Sequence, residues 1–139
     1  MKRRALREQI FKLLFRVEFF PPEDIPMQAE MFFESGDQTI GEDDRAYILE
    51  KTQAVIWEIP EIDRALDDCM EGWTMKRIGR VEKTILRLAV YEIKHDEEIP
   101  ERVAISEAVE LAKKFGQDSA PSFVNGVLAK YVKDPSSIA

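Results

Sequence analysis

Lys2, Arg3, Arg4 and Arg7 stand at or before the first turn of a helix predicted from the spacing of Leu6, Ile10, Leu13, Leu14 and Val17. A cation is the wrong charge for that place. The N-terminus of a helix carries partial positive charge, and each misplaced cation there costs about 0.3–1 kcal/mol. An external polyanion removes the conflict, because phosphate oxygens accept hydrogen bonds from arginines and from exposed backbone N–H groups alike. Lys76, Arg77 and Arg80 repeat the pattern, preceding or opening a later helix. Arg87 follows Arg80 by seven residues, two helical turns, and so is expected to point the same way. RNA or DNA is the ligand class that the two runs suggest. The competing readings are a solvated basic tail for residues 2–7 and solvated surface arginines for the second run.

Catalytic chemistry finds little support. His95 is the only histidine and lies in an acidic loop, so a histidine-based triad or a multi-histidine metal site is out of reach. Cys69 falls on the apolar stripe of its helix, where an inert buried thiol is expected. Gly79 and Gly126 are isolated, and no glycine-rich phosphate loop appears. Glu107 and Glu110, one turn apart, read as a solvated face. The expectation is a protein with no catalytic residues, no metal and no cofactor.

The net charge of −7 conceals a segregation that bears on partners. Residues 1–16 sum to +5, residues 17–71 to −13, residues 72–94 to +4 and the remainder to −3. Two basic runs therefore stand in an acidic background, and the acidic stretch is expected to keep away from RNA. No apolar run approaches the roughly 20 residues of a membrane helix. Arg7, Glu8, Lys12 and Arg16 interrupt what might follow a signal-like basic head. The lone cysteine suits a reducing compartment, and a cytoplasmic location is expected.

The elements that must position these residues are helices. Apolar spacing predicts them over Ala5–Phe20, Pro26–Glu34, from about Asp44 to Ile59, Ile62–Met70, from Gly79 to Lys94, Arg102–Phe115 and Ser119–Val132, with a short turn at Met75–Ile78. Pro21-Pro22 and Pro60 are read as boundaries, Gly72 and Gly116 as helix stops. No two-residue alternation is sustained, so no sheet is expected. The chain reads as one all-α domain, 1–139, with halves of about 1–71 and 72–139. Trp73 is expected to pack between those halves, a stacking platform being the alternative. Gly126 is read as a close-packing position and Asn125 as a surface group.

The segment Gly72-Trp73-Thr74, Arg77, Val81-Glu82-Lys83, Ile85-Leu86-Arg87-Leu88-Ala89 and Tyr91-Glu92 resembles the NusB family signature. So do Ile99-Pro100, the run Val103–Gly116 and the block Phe123-Val124-Asn125-Gly126-Val127-Leu128, with Arg3-Arg4 and Arg7-Glu8 matching the family's arginine-rich opening. The resemblance covers nearly the whole chain and is thinnest over residues 21–45. It implies about seven helices in two small bundles forming one domain. It also implies binding to boxA, a short single-stranded RNA in ribosomal RNA leaders, together with the small-subunit ribosomal protein NusE, within an RNA polymerase antitermination complex. By the same resemblance Arg3, Arg4 and Arg7 contact RNA, Phe123 borders the RNA surface, and Glu82 meets the ribosomal protein. Phe123, Asn125 and the nearby cations then supply the aromatic, amide and cationic contacts by which a single-stranded RNA is held and read, core packing being the competing reading for Phe123.

The sequence departs from the family pattern at Met70 and Trp73, where tyrosine or arginine can line the RNA face, and Asp118 places a negative charge near Phe123. Two other readings compete. The same module resembles the RNA-binding front end of certain ribosomal RNA cytosine methyltransferases, of which a chain ending at Ala139 could be only a detached module. Alternatively the acidic middle serves a protein–protein adaptor.

Overall fold

The structure, a computed structural model, describes residues 1–36 and 39–133. Among these every regular element is helical: α1 (Arg3–Phe15), α2 (Ile25–Ser35), α3 (Glu42–Cys69), α4 (Arg80–His95), α5 (Glu101–Phe115) and α6 (Ala120–Lys133), with 3-10 turns over Arg16–Glu18 and Pro22–Asp24. The chain forms two compact units, Met1–Trp57 and Glu58–Ala139.

The first unit is built on the stripe that the sequence predicts. Ile10, Leu13 and Leu14 of α1 are buried, as are Ile25 and Ala29 of α2 and Ile48 and Val55 of α3. Each fully buried side chain of this size contributes about 1.5–3 kcal/mol. Two arginines tie α2 down. Arg16 donates to the Gln28 side-chain oxygen at 2.6 Å and lies over the Phe32 ring, while Arg45 lies over Phe33 and donates to the Ile40 carbonyl at 2.7 Å. The buried Thr52 hydroxyl donates to the Ile48 carbonyl.

Among the described residues six α-helices are observed rather than seven because α3 runs through Pro60, the expected boundary. A proline inside a helix forfeits one backbone hydrogen bond and costs about 3 kcal/mol. The helix carries Ile48, Thr52 and Val55 before the proline and Ile62, Leu66 and Cys69 after it, all buried. At about 1.5–3 kcal/mol for each large apolar side chain, continuous burial outweighs the break. Pro60 itself is exposed.

In the second unit α5 packs against both α4 and α6. Ala104, Ala108 and Ala112 repeat every four residues on α5 and are all buried, which allows close approach of the neighbouring backbones. Gly116, just beyond α5, completes that row. A Cβ there would lie 2.6 Å from the Ala120 Cβ and 2.9 Å from the Ala112 carbonyl oxygen, and neither can swing away. Gly116→Ala is therefore expected to destabilise the protein by about 1–3 kcal/mol, as overpacking does. Gly126→Ala, on an outward position of α6 with nothing within 4 Å of the added methyl, should stabilise it by up to about 1 kcal/mol. Urea midpoints of the two variants moving in the same direction would contradict this packing.

Candidate nucleic-acid interface

The stretch between α3 and α4 determines the site. Gly72 adopts a left-handed backbone (φ 76°), which a glycine enters at no steric cost, so the chain reverses immediately after α3. The Met75 N–H donates to the Asp67 side chain at 2.7 Å, and the Arg77 and Ile78 N–H groups donate to the Thr74 carbonyl. These bonds, with Met75 and Ile78 buried, fix a turn whose remaining side chains, Trp73, Thr74, Lys76 and Arg77, are exposed.

Trp73 is 53% exposed, more than expected of a side chain packed between two halves. Its ring meets that of Phe123, from α6, edge to face, with centroids 6.4 Å apart and an interplanar angle of 77°. The two rings form a ridge bordering two grooves. One, of about 760 Å³, is lined by Arg77, Arg80, Glu82, Gly116 and Gln117 among others. The second, of about 230 Å³, includes Met70, Ser122, Gly126 and Lys130. Phe123 is partly exposed and lines both grooves.

Glu82 lies in the first turn of α4, and its carboxylate sits against Gly79, the N-cap residue. A carboxylate at that position moderates the charge conflict created by Arg80 and the preceding cations. No such acid stands in the first turn of α1, where Lys2, Arg3 and Arg4 are exposed. Glu82 thus offsets part of the conflict at α4, whereas the first turn of α1 contains no acid of its own.

Two arginines depart from the expected surface. Arg7 is 7% exposed and Arg87 is 8% exposed. Arg87 is committed to Asp63, donating from Nε at 2.9 Å and from Nη2 at 2.8 Å, a bidentate pair joining α4 to the second half of α3. Arg80 and Arg87 do share a helical direction. α4, however, is buried over Thr84–Val90 and exposed at Arg80, so the two arginines lie at different depths. Lys76 and Asn125 are exposed but line neither groove.

Gly126 also departs from its expected role. Its Cα faces open space, so no neighbouring helix requires it, and its smallness widens the second groove. Lys130 of that groove was not among the sequence candidates. Its signal is the helical stripe Phe123, Gly126, Lys130, at spacings of three and four. Among the described residues no cluster of three or more His, Cys, Asp or Glu side chains could hold a metal ion, and no helix is long and apolar enough to cross a membrane.

Comparison with known proteins agrees with this architecture. The transcription antitermination protein NusB of Agathobacter rectalis is 46% identical over 94% of this chain and 99% of its own. That of Lachnoclostridium phytofermentans is 42% identical over 95% and 99%. Among solved structures, NusB of T. maritima superposes with a TM-score of 0.83 at 31% identity, covering 96% of this chain and 92% of that one. A chain from a complex of the antitermination factors NusB and NusE with double-stranded RNA gives 0.80 at 26% identity, covering 94% and 96%. The NusB family profile matches residues 4–133, and the chain belongs to the NusB family.

Proposed function

We propose that this protein is a transcription antitermination factor that binds boxA-type single-stranded RNA of ribosomal RNA leaders together with NusE, within an RNA polymerase antitermination complex. The observation that carries the reading is the exposed Trp73–Phe123 ridge with Arg77 and Arg80 on one side and Lys130 on the other. Aromatic faces for bases, flanked by cations for phosphates, are what a single strand requires. Kinship with proteins named for antitermination, one of them solved with NusE and RNA, supports the same assignment.

In this reading bases stack on Trp73 and Phe123, Arg77 and Arg80 hold phosphates in the larger groove, and Lys130 continues the path in the smaller one. The exposed Lys2, Arg3 and Arg4 supply further phosphate contacts, and Lys76 and Asn125 act at the margin. Glu82 is assigned to the ribosomal partner. The role is one of binding, with no chemical step and no cofactor, and it is exercised in the cytoplasm.

The test is a titration with a boxA-like single strand, with and without NusE, at several salt concentrations. Affinity should fall as salt rises, with a slope of about −0.7 for each phosphate engaged. In a Trp57→Phe background the fluorescence of Trp73 should be quenched as RNA binds. A duplex of the same sequence keeps its bases stacked inside and should quench much less. A slope near zero, or no change in Trp73 emission, would count against direct RNA contact and favour the adaptor reading.

A further inference from the structure

The first unit carries a surface of a different character. On α2 the residues Met27, Glu30, Met31 and Glu34 follow one another at spacings of three, one and three, and all four are exposed. They form one outward stripe, with Met27 63% and Met31 53% exposed. The opposite side of the helix is already occupied: Ile25, Ala29 and Phe33 are buried, and Gln28 and Phe32 engage Arg16. Beyond Arg16–Glu18 the chain adds the exposed Phe20. From residue 17 to residue 36 the sequence holds five carboxylates (Glu18, Glu23, Asp24, Glu30 and Glu34) and no cation.

Stability alone gives no reason to place two methionines in solvent on a polar helix face. Methionine is the side chain that adapts to varied apolar partners, being unbranched and polarizable. Set between glutamates, the pair suits a ligand with aliphatic anchors on one side and positive charge around them. RNA and anionic lipid are repelled by the carboxylates. A second copy would bring the same carboxylates against their own kind.

We propose that the outward face of α2 docks a basic amphipathic helix of a protein partner, its aliphatic residues seated on Met27 and Met31 and its lysines or arginines paired with Glu30 and Glu34. The surface is separate in charge and residue type from the RNA-binding ridge and does not depend on it. It lies in the part of the chain where resemblance to the family is thinnest.

The full-length protein, labelled at its methionine methyl groups, is titrated with a peptide of lysine and leucine whose leucines recur at i, i+3, i+4 and i+7. The comparison ligand is a scrambled peptide of identical composition. The methyl signals of Met27 and Met31 should move saturably while those of the buried Met70 and Met75 stay in place. Affinity should drop at least tenfold for the scrambled peptide, and by a similar factor for the Met27→Glu, Met31→Glu double variant. Equal binding of both peptides would reduce the interaction to bulk charge and overturn the proposal. It is also overturned if the Met27 and Met31 signals stay still, if they move when the protein alone is concentrated, or if they move with polyuridine. Should the double variant fail to fold, the methyl shifts of the unmodified protein still decide.

Discussion

Reversing two charges together, Arg77→Glu with Arg80→Glu, is expected to lower affinity for a boxA-like single strand by about a hundredfold or more at moderate salt, with the helical circular dichroism unchanged. Arg77 and Arg80 line the larger groove beside the Trp73–Phe123 ridge, where the proposed binding mode runs the phosphates of a strand stacked on the rings. Losing both contacts should also flatten the salt dependence by about 1.4, since each phosphate released on single strands contributes about 0.7. Both residues are exposed and lie outside the buried core, so the helices are expected to persist. Arg102→Glu, an exposed reversal at the start of α5 away from both grooves, serves as the control for net charge. Equal loss in the control would mean that the field of the whole protein governs binding and the groove does not.

The helices were legible because their apolar spacing is strong: α2, α4, α5 and α6 begin and end within about two residues of the expected places. Pro60 misled because its local cost is visible in the sequence, while the continuous burial that outweighs it appears only once α3 has neighbours. At the site, the residue types were readable and their depths were not. Arg7 held a clue: it precedes Ile10, Phe11 and Leu14 by three, four and seven residues, and so sits on the very stripe that packs inward. For Arg87 the clue was fainter, because its partner Asp63 lies 24 residues away and only the fold brings them together. Trp73 reads as packing between two halves, in keeping with the high average burial of large aromatic side chains. The turn after Gly72 instead sets it beside Phe123 at the surface, and no periodicity signals that.

The Arg87–Asp63 pair provides the stronger stability test, and it separates a structural arginine from a binding one. Removing the carboxylate with Asp63→Ala leaves a guanidinium that is 8% exposed without its bidentate partner. Loss of one member of a buried pair costs about 3–5 kcal/mol, and the partial exposure of Asp63 puts the expected loss near the lower end, about 3 kcal/mol. Arg87→Met alone strands a carboxylate that water still reaches, and should cost less. Replacing both, as Asp63→Leu with Arg87→Met, removes two desolvation penalties along with the attraction. That double variant should return to within about 1 kcal/mol of the unmodified protein. Urea unfolding with an unchanged slope reads all three. The same Arg87→Met protein should bind RNA as the unmodified one does, because its guanidinium is already engaged within the fold. If instead its affinity falls as far as that of the Arg77→Glu, Arg80→Glu double variant, Arg87 must leave Asp63 to meet the strand, and the ion pair would be a latch on the RNA site and not a brace between α3 and α4.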